Sequence, residues 1–143
     1  AATAPPTLDA PVERARRLWA LRTATQGRFA WNAVTSWDVE AVRNFGITEV
    51  PERAVRYARA EEFVTVIKRL WETAGTTDVV DHDGSFSVHA GLEMEALVPE
   101  RPAIVQAGGS EPGWRLAGLV ADGVYSVDHD PASAAEHRQK IRS

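Results

Sequence analysis

Apolar positions first recur with helical spacing near the start of the chain, where Val12, Ala15, Leu18 and Trp19 fall on one stripe. Asp9 stands at an N-cap position and Pro11 in the first turn, so a helix of about four turns is expected, closed by Gln26-Gly27. The next stretch, Arg28 to Ser36, has a core that is nearly continuous in apolar residues, the pattern of a strand buried on both faces in a parallel sheet. From Glu52 to Ala74 the helical period returns, with Ala60, Phe63, Ile67, Leu70 and Ala74 on one stripe and Val64 and Trp71 widening it. Gly75 ends that helix. Asp83-Gly84 then centres a turn between two β-prone arms, Val79 to Val88, which predicts a hairpin.

Beyond the hairpin, Ala103 to Ala107 predicts a second buried strand, Ser110 a helix cap with its helix running to about Ala121, and Gly123 to Val127 a third strand. Pro131 opens a last, more polar helix from Ala132 to Ile141. Helix, strand, helix, hairpin, strand, helix, strand, helix is the rhythm of βαβ units, so the fold class is α/β with a parallel sheet. No fixed-period repeat and no Gly/Ser-rich linker divides the chain, and residues 1–143 are read as one domain or one piece of a domain.

Composition narrows the partners. The 143 residues carry 16 Lys plus Arg against 20 Asp plus Glu, a net charge of −4 with both signs interspersed, which gives no basic footprint for nucleic acid and no polybasic stretch for anionic membrane. No run reaches the length needed to cross a bilayer, and the first residues lack the order of a secretory signal. The absence of cysteine removes thiol chemistry and disulfides and points, without deciding, to the cytoplasm. The start at Ala1, without methionine, suggests a processed, excised or incomplete polypeptide.

Ligands of parallel α/β proteins gather at the carboxyl ends of strands, which here carry Asn32, Thr35 and Ser36, then Gln106 to Ser110, then Asp128-His129-Asp130. At the second end Gly108 and Gly109 remove side chains between strand and helix and Ser110 supplies a hydroxyl. The backbone N–H groups of Glu111 and Gly113 stand there at the positive end of the helix dipole, an arrangement that suits an anion. The same residues also describe an ordinary strand-to-helix turn with a serine cap. Asn32 is an amide inside a buried run and must be satisfied by a neighbouring loop or by a ligand. The repeated Asp-His-Asp triplets at 81–83 and 128–130 do not converge on one ion in extended chain, so no metal site is expected. His129 is the one candidate for proton transfer, and His137 is read as surface. Arg53, Arg56 and Arg59 are read as a solvated face paired with Glu52 and Glu62, and four of the five tryptophans as packing. Trp37, in a loop, is expected to cover something apolar.

Five blocks then line up in order: Phe29-Ala30-Trp31-Asn32-Ala33-Val34-Thr35-Ser36, Glu40-Ala41-Val42-Arg43-Asn44-Phe45-Gly46, Arg56-Tyr57-Ala58-Arg59-Ala60-Glu61-Glu62-Phe63, Trp71, and Arg101-Pro102-Ala103-Ile104-Val105-Gln106-Ala107-Gly108-Gly109-Ser110-Glu111. Together they resemble the bacterial luciferase-like flavin-dependent monooxygenases, in the branch of the nitrilotriacetate and dibenzothiophene-sulfone monooxygenases. The resemblance implies a (β/α)8 TIM barrel that uses reduced FMN, delivered by a separate flavin reductase, and O2 to oxygenate a small organic substrate. It also implies that Asn32, Thr35 and Ser36 line the isoalloxazine side, that Tyr57 helps hold the flavin chain and phosphate, and that Gly109 and Ser110 cradle the phosphate. No residue is assigned a catalytic role. The family commonly has a histidine four residues before the tyrosine, where this chain has Arg53.

Such a barrel takes roughly 250 residues. The resemblance covers the middle of one, about strands 4–6 with flanking helices and a hairpin insertion, so the chain is expected to be a fragment or to complete itself as a homo-oligomer through open sheet edges. A non-catalytic or degenerate FMN-binding barrel and a structural interaction domain remain as alternatives.

Overall fold

In the computed structural model the described residues are 1–6, 9–35, 39–46, 48–126 and 128–142; the side chains of Val39 and Ala41 are also outside the description. The elements are β1 (Ala2–Thr3), α1 (Pro11–Ala24), β2 (Ala30–Asn32), α2 (Val39–Arg43), α3 (Arg53–Glu72), β3 (Val80–Asp83), β4 (Ser87–Ala90), β5 (Ala103–Ala107), α4 (Glu111–Val120), β6 (Gly123–Tyr125) and α5 (Pro131–Arg142). The main sheet is parallel throughout, in the order β1-β2-β5-β6. The two residues of β1 add a strand that the hydrophobic pattern does not predict, and the five-residue α2 is likewise unpredicted. The predicted strand over 28–36 contracts to Ala30–Asn32, with one further bond from the Ala33 N–H to the Val105 carbonyl at 2.8 Å.

The hairpin forms where Asp83-Gly84 predicts it, pairing Asp83 with Ser87 and Val80 with Ala90 as a separate antiparallel sheet. It lies against α3. Glu62 accepts from the Phe86 N–H (3.2 Å) and contacts His82 Nε2 (2.8 Å), while the Arg59 guanidinium sits 4.1 Å from the Phe86 ring centre and donates to the Ser85 carbonyl. Glu62 and Arg59 therefore serve the hairpin rather than each other. Arg56 donates to the Pro51 carbonyl at 2.9 Å, where the pattern predicts Glu52 as its partner.

Period-2 alternation sorts the strand side chains. Trp31 and its register partner Ile104 point to the helix side and are fully buried. Trp31 meets Phe63 and Trp71 of α3 edge-on, each at 6.4 Å between ring centres. The indole N–H groups of Trp31, Trp71 and Trp19 donate to the carbonyls of Ala4, Ala15 and Glu95, so three large rings enter the core with their polar atoms satisfied. Asn32 and Val105 alternate to the opposite face of the sheet. Ala10 rather than Asp9 stands at the N-cap of α1: the Asp9 carboxylate accepts from the Ala10 N–H and pairs with Arg14 at 2.8 Å. Gly27 and Gly75 close α1 and α3 at φ +83° and +76°, where a Cβ would be strained.

The amino ends of the strands are fastened together. Arg101 grips Asp122 with two hydrogen bonds, 2.7 and 2.6 Å, and Asp122 also accepts from the Ile104 N–H at 2.8 Å while its own N–H returns to the Ile104 carbonyl. The Arg101 guanidinium, and then the Ile104 N–H, hold the Asp122 carboxyl below its usual range. Among the described residues no helix is long and apolar enough to cross a membrane.

Candidate functional site at the carboxyl ends of the strands

At the opposite ends of the same strands polar groups are left over. Strand β5 runs out at Ala107, Gly108 and Gly109 cross to α4, and Ser110 occupies the N-cap with extended backbone (φ −108°, ψ 155°). The first intrahelical bond runs from the Trp114 N–H to the Ser110 carbonyl at 2.9 Å, which leaves the N–H groups of Glu111 and Gly113 without a partner in the helix; Pro112 has none to offer. The expected cap bond, in which the Ser110 hydroxyl oxygen accepts from a backbone N–H, is not made. Its Oγ instead lies 3.4 Å from the Tyr57 hydroxyl, delivered from α3 across a sequence separation of 53 residues. A Cβ at Gly113 would come to 3.3 Å of that same Tyr57 oxygen. Tyr57, Gly109 and Ser110 are thus assembled in one place, with the dipole of a ten-residue helix behind them. Glu111, whose charge would oppose an anion, is exposed.

Gly109 is open: a Cβ there would meet nothing within 4 Å. On one side of the turn a cavity of about 510 Å³ lies over the ends of β5 and β6, bordered by Ala107, Gly108, Gly109, Trp114, Tyr125 and His137. On the other side a groove of about 420 Å³ runs past Tyr57, Pro112 and Arg115.

Asn32 stands at the end of β2, level with Val105. Its Nδ2 donates to Thr3 Oγ1 of β1 at 3.1 Å, so a neighbour satisfies one end of the amide. Its Oδ1 is shielded and has no partner among the described residues. Thr35 is half-buried beyond the strand; Ser36 and Trp37 lie outside the described residues.

His129 is exposed, while His137, read from the sequence as surface, is largely enclosed. Its Nδ1 lies 2.9 Å from Asp128 Oδ2 and 3.1 Å from Ser126 Oγ, and its ring meets Trp114 edge-on at 5.1 Å. The Ser126 hydroxyl, and then His137, draw the Asp128 carboxyl below its usual range. Nothing in the spacing of α5 signals this cluster, because it depends on α5 folding back over α4. Gln106, placed by the sequence at the second strand end, is given no role there. It is 1% exposed, on the helix side of β5, directly beneath the glycine turn.

The chain and its fold resemble known proteins. The whole span 1–143 matches the family model described as luciferase-like monooxygenase. The chain is 35% identical to nitrilotriacetate monooxygenase component A of Aminobacter aminovorans, over 87% of this chain and 32% of that protein. It is likewise 35% identical to dibenzothiophene-sulfone monooxygenase of Rhodococcus erythropolis, over 88% and 32%. Among solved structures, the EDTA monooxygenase of Chelativorans sp. BNC1 superimposes with a TM-score of 0.88 at 30% identity, covering 98% of this chain and 37% of that one. The chain therefore spans about a third of the length of the relatives it matches.

Proposed function

The chain belongs to the luciferase-like monooxygenase family, and on that premise we propose that residues 1–143 form the central part of a (β/α)8 barrel in a two-component, flavin-dependent monooxygenase. The observation that carries the flavin reading is the meeting of the Tyr57 and Ser110 hydroxyls beside an open glycine turn at the start of α4.

The residues present fit FMN. A phosphate needs donors and room. The hydroxyls of Ser110 and Tyr57 and the unpaired N–H groups of Glu111 and Gly113 supply the first, and the open space at Gly109 the second. Asn32, with one carboxamide oxygen unpartnered at the end of β2, and Thr35 beyond it face the ring system in this reading. We keep Ser36 in the same role. The chemistry that reduced FMN supplies when bound is activation of O2 for transfer of one oxygen atom to a small organic substrate. The work of this chain is then to anchor the phosphate, orient the ring and keep water out, and no side chain of it is assigned a proton-transfer step. Arg53, where the family commonly has histidine, is exposed at the start of α3 and offers a cation on the phosphate side.

The term "component A" in the name of the nitrilotriacetate relative supports a multi-component system, with reduced FMN delivered by a separate flavin reductase. The open edges of β1 and β6, each paired on one side only among the described residues, support completion of the barrel or homo-oligomeric association. A cytoplasmic location belongs to the same proposal.

The test is oxygen-isotope incorporation. The protein is supplied with FMN, a flavin reductase, NADH and labelled O2 alongside a panel of organic acids, sulfones and alkanes. The reading expects one labelled oxygen atom in a product. Tight FMN binding with no labelled product across the panel would favour the non-catalytic alternative, and no FMN binding would remove the flavin reading.

A further inference from the structure

Gln106 is the most enclosed polar side chain at the strand ends, and no role is yet attached to it. It is 1% exposed, on a strand whose alternation directs it toward α4. Its carboxamide is used at one end only. Nε2 donates to the Ala107 carbonyl at 3.1 Å, and Oε1 is shielded with no hydrogen-bond partner. Both atoms press on the glycine turn: a Cβ at Gly108 would come to 2.8 Å of Nε2 and 3.4 Å of Oε1. A side chain at Gly108 would therefore have to displace the glutamine carboxamide.

The consequence concerns charge. A turn that receives an anion must present N–H groups and turn its carbonyls away. The Ala107 carbonyl is the last acceptor before the turn, and Gln106 holds it. We infer that Gln106 is the positioning residue of the anion cradle: its donated hydrogen bond fixes the Ala107 carbonyl beneath the turn and so sets the direction of the N–H groups that follow Gly109. This inference rests on the reading of the turn as a phosphate site. It adds a residue that touches neither phosphate nor ring.

The test compares FMN with riboflavin, which lacks the phosphate, as ligands of the purified protein. For the unaltered chain we expect FMN to bind at least about tenfold more tightly, the scale of one charge-assisted contact. Gln106→Met keeps the volume and removes the donor. It should erase most of that preference while leaving riboflavin affinity unchanged. If Gln106 only fills space, Gln106→Met will bind FMN as the unaltered chain does, and the inference fails. A second arm uses contact geometry. Gly108→Ala alone should lose the FMN preference because its methyl meets Nε2, whereas Gln106→Ala with Gly108→Ala should be no worse than Gln106→Ala alone. Independent, multiplying losses would overturn the inference. If the unaltered chain shows no preference for FMN over riboflavin, the phosphate reading falls first and the inference with it; a preference that survives in Gln106→Met overturns the inference alone.

Discussion

The two ends of the parallel sheet are built from the same strands and are treated oppositely. At the amino ends, Arg101, Asp122 and Ile104 close a ring of hydrogen bonds in which the carboxylate is met by three donors from two residues. At the carboxyl ends, Asn32 Oδ1, Gln106 Oε1, Trp114 Nε1 and His137 Nε2 are all shielded and all without a partner among the described residues. A buried polar atom left unpaired costs roughly 1–3 kcal/mol, so the two ends differ in how fully their polar groups are satisfied, and the less satisfied end is the one at which we propose that FMN binds. In barrels of this kind, one face carries stability and the opposite face carries the chemistry.

Changes at the two ends should therefore separate binding from stability. The largest effect is expected from Ser110→Glu, which sets a second negative charge against the bound phosphate. At about 4 Å and an effective dielectric of about 20 the repulsion is roughly 4 kcal/mol, enough to reduce FMN affinity by two orders of magnitude or more. Flavin fluorescence titration measures this, and an unchanged urea midpoint should accompany it.

Asp122→Ala should do the reverse. It strips the Ile104 N–H and the Arg101 guanidinium of their acceptor at a partly solvated position, costing about 1–2 kcal/mol in urea unfolding with no change in FMN affinity. A loss of FMN binding greater than the loss of folded protein would blur the division between the two ends.

The pH dependence of that variant carries a sign. Because the folded protein holds the Asp122 carboxyl below its usual value, the stability it contributes is fully present above the unfolded value of about 4 and is lost as pH falls through the folded value. The gap between the unaltered chain and Asp122→Ala should accordingly be constant from neutral pH to about pH 5 and close only below about pH 4. Unfolding midpoints across that range check it.

The smallest change is expected from Asn32→Leu. It removes the Thr3 bond and the unpartnered oxygen together, so stability should shift by less than about 1 kcal/mol. FMN affinity should fall several-fold. A clear gain in FMN affinity would remove Asn32 from the site.

What the sequence revealed follows the range of the interactions involved. The strand around Trp31, the long helix ending at Gly75 and the Asp83-Gly84 turn were legible because apolar period and turn chemistry are local. Strand β1 was not, since Ala2 and Thr3 carry no strand signal and are ordered by pairing with Trp31 and Asn32. The Gly109-Ser110 turn could be located, but the use of its hydroxyl could not: a serine at an N-cap predicts a cap bond, and only the fold brings Tyr57 there in its place. His137 and Gln106 show the same limit. His137 gains its partners from the segment after β6 and Gln106 from the last carbonyl of its own strand, and neither position differs in sequence from an ordinary surface histidine or strand glutamine.

The central claim is that an anion is held by the main chain where α4 begins. Backbone amide resonances followed by NMR while inorganic phosphate is added test it most directly. The account predicts saturable shifts concentrated at Gly109, Ser110, Glu111 and Gly113, lost in Ser110→Glu. Phosphate that leaves these four amides unmoved, or that perturbs a different surface, would contradict it.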